Sequence, residues 1–201
     1  MKSFIKAFGW PGFVALFVLL APFIFGLVMQ PRSTRPYRRV TDSTRTAIEA
    51  YLERYFAIHG CFPQPADPEE TAEISPGVIC RIGGAKCLYQ ALRGDGSDAI
   101  VTNDKTISAT TSDGNFETAE IQRCIFKDMP SFMCRKVGNS FILVDGYGRP
   151  FQYIKADPEK KNTVNSTYDL WSYGDDETNL RATSKDTEAD PAVGAKWIKN
   201  W

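Results

Sequence analysis

The sequence is poor in histidine and carries no net charge, and each absence narrows the functions that the protein can have. Its only histidine is His59, and its 24 basic residues balance 24 acidic ones. Because binding to nucleic acid requires a clustered basic surface, this balance argues against nucleic acid as the main partner. The chain also lacks the Gly-x-Ser-x-Gly and His-Glu-x-x-His motifs of hydrolases. We therefore predict that the protein is not an enzyme.

Cysteine is present, but without the spacing of a metal site. No Cys-x-x-Cys pair occurs, which disfavours a zinc knuckle. Five cysteines in loop-like sequence instead indicate disulfides in an oxidising compartment, and the odd number leaves one thiol over. The expected pairs are Cys124 with Cys134 and, next, Cys80 with Cys87, which leaves Cys61 free.

The longest hydrophobic stretch lies near the N-terminus. Residues 7–29 contain no charged side chain, and a helix of about 20 apolar residues is enough to cross a bilayer core. The small-residue cleavage site of a secretory signal does not follow Met29. We therefore predict a retained transmembrane helix within a membrane anchor over residues 1–30, a linker rich in Pro and Arg over residues 31–40, and a soluble domain over residues 41–201.

The two flanks of this stretch leave its orientation open. Lysines precede it at positions 2 and 6, whereas four arginines follow it: Arg32, Arg35, Arg38 and Arg39. The positive-inside rule alone would keep the C-terminal part in the cytoplasm. Cysteine usage indicates the opposite, because all five cysteines lie beyond the hydrophobic stretch.

The rest of the sequence has the pattern of an α+β domain. An amphipathic helix is predicted to start near Thr41 and to end at Gly60, with apolar residues at helical spacing between them. Residues 61–85 and 94–115 have the composition of loops, with a short helix between them. Alternating apolar and polar residues then predict three antiparallel strands, over residues 140–144, 151–154 and 168–172. The expected fold class is α+β, with an N-terminal transmembrane helix, an amphipathic helix packed on a small antiparallel β-meander, and long loops.

Several motifs occur in the order typical of one family. Residues 141–154 contain the turn Asp145-Gly-Tyr-Gly148 between two strands, and residues 168–176 read Tyr-Asp-Leu-Trp-Ser-Tyr-Gly-Asp-Asp. Upstream lie Tyr55-Phe-Ala-Ile-His-Gly-Cys-Phe-Pro63 and the helix Leu88-Tyr-Gln-Ala-Leu92, and the chain ends in Asn-Trp. In the residues of these motifs and in their order, the sequence resembles the major pseudopilins of type II secretion, which belong to the type IV pilin-like superfamily.

The resemblance implies a structural role in a membrane. Such a subunit would lie in the inner membrane with its C-terminal domain in the periplasm. It would associate through its N-terminal hydrophobic helix with copies of itself, with other pseudopilins or with inner-membrane components of the secretion system. Prepilin cleavage would fall between Gly12 and Phe13, although Phe17 occupies the place of the family's glutamate. The alternative is a membrane-anchored extracytoplasmic binding domain that reuses the pilin fold and does not polymerise.

The resemblance also implies calcium in the acidic loop after the last strand. The family's first carboxylate falls on Asp176, next to Asp175, and the carbonyl of Tyr173 matches a backbone ligand. Calcium takes six to eight oxygen ligands, and either Asp186 or Asp190 could supply the second carboxylate. A solvated acidic loop without a metal is the alternative.

Overall fold

The structure, a computed structural model, describes residues 34–101 and 109–201. The helices of these ranges are α1 (Arg35–His59), α2 (Gly83–Arg93), α3 (Thr118–Arg123) and α4 (Ser184–Ala189), with a 3-10 turn at Ser131–Met133. The strands are β1 (Thr71–Ser75), β2 (Val78–Arg81), β3 (Cys134–Val137), β4 (Ser140–Leu143), β5 (Gln152–Lys155), β6 (Tyr168–Ser172) and β7 (Ile198–Lys199).

Helix α1 begins earlier than the sequence predicts and ends where it predicts. It starts at Arg35 because Pro36 lies in its first turn, where the missing N–H of proline removes no intrahelical hydrogen bond. It ends before Gly60, whose φ of 70° is a left-handed conformation that glycine adopts without strain. The buried positions of the helix recur at helical spacing: Thr41, Thr44, Ile48 and Leu52.

The predicted fold class is wrong in its membrane-spanning helix. None of the helices within residues 34–101 and 109–201 is long and apolar enough to cross a membrane. Residues 7–29, on which that prediction rests, lie outside the described residues, as do Gly12, Phe13 and Phe17. What the structure supports is an α+β fold with small antiparallel sheets.

The predicted β-meander is also wrong, although each of its three strands exists. The strands described form three separate antiparallel sheets, namely β1–β2, β3–β4 and β5–β6–β7. Strand β4 pairs with β3, and it meets the segment of β5 only at one hydrogen bond from Phe151 to Leu143 and at the bridge between Val144 and Pro150. The two strands therefore belong to different sheets, which meet at this bridge.

The hairpin of β1 and β2 occupies a stretch that was predicted to be a loop. Pro76 and Gly77 form its turn, and Gly77 has a φ of 77°, as expected for the third residue of a type II turn. Ile74 and Cys80 are the fully buried residues of the two strands. With so few buried positions, the hairpin lacks the apolar alternation that reveals a strand in a sequence.

Helix α2 lies in the interior of the domain, where all of its residues except Arg93 are buried. Leu88 and Leu92 pack in one apolar cluster with Leu52 of α1 and with residues of β5 and β6. The helix approaches β5 closely, since a Cβ atom on Gly84 would lie 2.6 Å from the carbonyl oxygen of Tyr153. This close approach positions β5 and β6 against the helical layer.

We expect Gly84→Ala to destabilise the protein. The added methyl group would overlap backbone atoms of Tyr153, which cannot move without shifting β5. Overpacking of this kind costs about 1–3 kcal/mol, more than the helix propensity gained from alanine. Urea unfolding of the purified chain measures the difference in the free energy of unfolding between the variant and the wild type. A Gly84→Ala protein as stable as the wild type would contradict the close packing of α2 on β5.

Candidate functional site

A network of buried polar side chains holds the chain that follows β6, and it surrounds the positions that the resemblance assigns to calcium. We call residues 173–201 the C-terminal segment. The side chains of the network are Asp145, Arg149, Ser172, Asp176 and Trp197.

Asp145 joins the turn before β5 to the end of β6. One of its carboxylate oxygens accepts hydrogen bonds from the backbone N–H groups of Tyr147 and Arg149, both at 2.8 Å. The other oxygen accepts a hydrogen bond from the hydroxyl of Ser172. Burial raises the pKa of Asp145, while these hydrogen bonds act in the opposite direction.

Arg149 extends this connection to the C-terminal segment. Its guanidinium group donates hydrogen bonds to the carbonyl oxygens of Gly174, at 2.9 Å, and of Asp176. A guanidinium group carries several donors in one plane, so it can bridge two carbonyl groups of one turn. The nearby carboxylate of Glu177, 3.7 Å away, is largely exposed and adds little.

Asp176 is 3% exposed, and donors surround its carboxylate on both sides. Oδ1 accepts hydrogen bonds from the N–H and the hydroxyl of Thr178, at 2.9 and 2.8 Å, and from the N–H of Asn179 at 3.2 Å. Oδ2 accepts from the side-chain amide of Asn179 at 2.9 Å and from the indole N–H of Trp197 at 3.2 Å. Burial raises the pKa of Asp176, but the hydrogen bonds from Asn179 and Thr178 outweigh it and lower the pKa to about 2. The carboxylate is therefore ionised at neutral pH.

Aromatic rings and Asn200 attach the end of the segment to β6. The ring of Trp197 stacks on Trp171 of β6 with a centroid distance of 5.8 Å and meets Tyr173 edge-on at 5.2 Å. The side-chain oxygen of Asn200 accepts a hydrogen bond from the N–H of Leu170 at 3.0 Å. These contacts give the terminal Asn-Trp of the sequence a structural role, since the asparagine continues the pairing of β7 with β6.

The two candidates for the second calcium carboxylate already have partners. Asp186 caps the N-terminus of α4, accepting hydrogen bonds from the N–H and the hydroxyl of Thr183 at 2.7 and 2.9 Å. Asp190 accepts a hydrogen bond from the N–H of Ala192 at 2.9 Å. Both carboxylates thus have local backbone partners.

The remaining calcium candidates do not complete a site in this arrangement. Asp175 is exposed, and the carbonyl oxygen of Tyr173 accepts the N–H of Asp176 at 3.0 Å. No group of three or more His, Cys, Asp or Glu side chains that could hold a metal occurs in the described ranges. Calcium needs free oxygen ligands, whereas the oxygens of Asp176 are occupied by five hydrogen bonds. These residues, as arranged, do not fit a calcium ion, and calcium stays a prediction from the resemblance.

All five cysteines lie in the described ranges and are free thiols. Cys80 and Cys87 are buried in different apolar clusters. Cys124 contacts the guanidinium group of Arg93 at 3.9 Å, whereas Cys134 contacts the sulfur of Met129 at 3.3 Å. Burial raises the pKa of Cys134 to about 11, which disfavours its thiolate. The structure joins neither predicted pair, and the two disulfides stay predictions.

Arg149 and Trp197 belong to the network, although no sequence motif predicts a role for either residue. Asp145-Gly was recognised only as a turn. In the sequence, an aspartate in a turn with an arginine four residues later indicates only weakly that the arginine contacts another segment. Nothing near position 176 indicates that the donor at Trp197 reaches it.

Comparisons of the chain with protein-family models, with curated proteins and with solved structures found no match. The likeness to major pseudopilins therefore rests on the motifs of this sequence alone, and the function drawn from it is a proposal.

We expect Asp176→Asn to destabilise the protein in the absence of any metal. Several buried donors would lose a charged acceptor, and a buried donor without a proper partner costs about 1–3 kcal/mol. Asp175→Asn is the matched control, because Asp175 is exposed and its neutralisation should change stability little. Chemical unfolding with a chelator present measures both variants.

The same experiment separates this structural role from calcium binding. If Asp176→Asn unfolds like the wild type in chelator, and millimolar calcium stabilises the wild type alone, the carboxylate serves a metal and the hydrogen-bonded arrangement is wrong. An equal loss of stability with and without calcium would support the network.

The stabilisation from Asp176 should also disappear in acid. Its pKa in the folded protein is about 2, below the ordinary value of 3.8, so its contribution is present above that value and is lost as the pH falls through about 2. The difference in free energy of unfolding between the wild type and Asp176→Asn should therefore shrink as the pH falls from 4 to 2. Unfolding curves across this range test the claim, and a difference that stays constant down to pH 2 would contradict it.

Proposed function

We propose that the protein is a pseudopilin-like structural subunit of a type II secretion filament or of a related filament like the type IV pilus. In this proposal, the apolar N-terminal segment, residues 7–29, holds the subunit in the inner membrane and mediates its assembly. The described domain stands in the periplasm. Its partners are copies of itself, other pseudopilins and inner-membrane components of the secretion system.

One observation carries this proposal: the separate sequence motifs of the resemblance meet in space. The hydroxyl of Tyr153 donates a hydrogen bond to the carbonyl oxygen of Pro63 at 2.8 Å, which joins the motif after α1 to β5. The ring of Phe62 packs edge-on against Tyr168 of β6 at 4.8 Å. Leu88 of α2 lies in the same apolar cluster as Phe62 and Tyr168. The motifs that carry the resemblance therefore pack in one core of this chain.

The shape of α1 suits a structural subunit. It has 25 residues, and at about 1.5 Å of rise per residue it is roughly 37 Å long. Its middle is buried against the domain at Ile48 and Leu52, whereas residues 34–40 are exposed. A long helix with an uncovered first part and a middle packed on the domain provides both a rigid stem and a surface for neighbouring subunits.

A second function has one specific observation in its favour. Phe17 stands where the family carries a glutamate whose charge helps to set the register of subunits in the membrane. Without that carboxylate, the chain has no obvious means of fixing a neighbour's position. The alternative is a membrane-attached extracytoplasmic binding domain that does not polymerise, and the fold alone does not decide between them.

We expect the full chain in bacterial inner membranes to form oligomers larger than dimers. Amine-reactive crosslinking of intact membranes, followed by denaturing electrophoresis, should give a ladder of species. Phe17→Glu is the informative variant, because restoring the carboxylate should lengthen the ladder if assembly uses the family's mechanism. Phe23→Glu is the matched control, because it places a carboxylate elsewhere in the same apolar stretch and removes no amine.

Two outcomes would count against the filament. Monomers alone in both the wild type and Phe17→Glu would contradict assembly and favour the binding domain. A ladder that Phe17→Glu and Phe23→Glu change equally would contradict the assigned role of position 17.

A further inference from the structure

The first turns of α1 carry a cluster of three arginines. Arg35, Arg38 and Arg39 are spaced by three and four residues, so they share one face of the helix, and all three are exposed. We call these three residues the arginine cluster. Within the described residues, none of the three forms an ion pair.

The acidic residue that follows the arginine cluster on this face forms its ion pair elsewhere. Asp42, four residues after Arg38, pairs with Arg45 at 3.1 Å. The first turn of α1 contains no acidic residue, and the side chain of Thr34 makes no capping hydrogen bond. A helix N-terminus is itself partly positive, so three arginines there repel one another and are disfavoured by the helix. A bound anion would remove this penalty.

The space beside the cluster can accept such an anion. The three arginines line a cavity of about 330 Å³ together with Asp42 and Ile198 of β7. Guanidinium groups bind phosphate through paired, charge-assisted hydrogen bonds, which makes phosphate a better fit than a simple halide.

Exposed aromatic and apolar side chains lie on the same turns of α1. Tyr37 is 46% exposed and Val40 is 38% exposed, between and beside the arginines. Tyrosine next to arginine is typical of segments at the boundary between a membrane and water. There the ring lies at the level of the headgroups and the charged end of the arginine reaches water. In the sequence, Arg35 also follows closely on the uncharged residues 7–29.

We propose that the arginine cluster binds the phosphate of an anionic phospholipid headgroup. The inference rests on the proposed membrane attachment of the chain, since that attachment brings a lipid surface within reach of α1. Binding of the headgroup is electrostatic and requires its negative net charge. A zwitterionic lipid with the same phosphate should therefore bind more weakly.

Binding to the full chain in a neutral detergent tests the proposal. Short-chain phosphatidylglycerol, short-chain phosphatidylcholine and inorganic phosphate are titrated separately, and affinity is measured by calorimetry. The triple variant Arg35→Gln, Arg38→Gln, Arg39→Gln should bind phosphatidylglycerol at least about tenfold more weakly than the wild type. Arg54→Gln, an exposed arginine elsewhere on α1, should leave the affinity unchanged. Residues 7–29 are present in every protein, so their own affinity for lipid cancels in the comparison.

Each result decides the matter. Equal affinity of the wild type and the triple variant for phosphatidylglycerol would overturn the site. Binding of inorganic phosphate or phosphatidylcholine as tight as that of phosphatidylglycerol would overturn the assignment to an anionic lipid. Because the titration uses no assembled filament, lipid binding without a crosslinked ladder would contradict only the filament, and a ladder without selective lipid binding would contradict only this inference.

Discussion

The arrangement of the C-terminal segment depends on one buried charge, the carboxylate of Asp176. An ionised group out of contact with water is costly unless donors surround it, and here the donors come from the neighbouring Thr178 and Asn179 and from the distant Trp197. Thr178 and Asn179 wrap the chain around the carboxylate, while Trp197 brings the end of the segment back to it. Because Trp197 also stacks on Trp171, the same charge fixes how the segment lies on β6.

The network continues from this charge to the long helix. Arg149 holds the carbonyl of Asp176, and the turn that carries Arg149 rests on α1, where the N–H of Gly146 donates to the hydroxyl of Thr41 at 3.0 Å. A Cβ atom on Gly146 would lie 2.5 Å from the carbonyl oxygen of Tyr37, so only glycine allows this approach. The helix that begins with the arginine cluster is thereby connected to the last residues of the chain. Such a connection suits a subunit whose stem and domain act as one structural element.

Local patterns sufficed for the parts of the fold that local chemistry controls. The end of α1 at Gly60, the helix around Leu88 and the strand from Tyr168 to Ser172 follow from helix capping and periodicity, and the structure contains all three. Helix α1 starts at Arg35 rather than near Thr41, because a first helical turn accepts Pro36. The pairing of β4 with β3 and of β5 with β6 is not revealed by strand periodicity, which indicates strands but not their partners.

The candidate site also depends on a contact between residues that are far apart in the sequence. The resemblance singles out Asp176 and predicts a metal as its partner. In the structure, the partners of Asp176 are N–H and O–H groups, one of them on Trp197, and no pattern near residue 176 indicates that contact. The motif thus indicates position 176, whereas the partners of its carboxylate depend on the tertiary structure.

Hydrogen exchange of the full chain in chelator tests the central claim most directly, because exchange rates report the hydrogen bonds of single amides. The account predicts that the amides of Thr178 and Asn179 are protected in the wild type without metal and lose that protection in Asp176→Asn, while the Asp175→Asn protein keeps it. Rapid exchange of these amides in wild-type protein with chelator, slowed only when calcium is added, would contradict a segment ordered by its own hydrogen bonds.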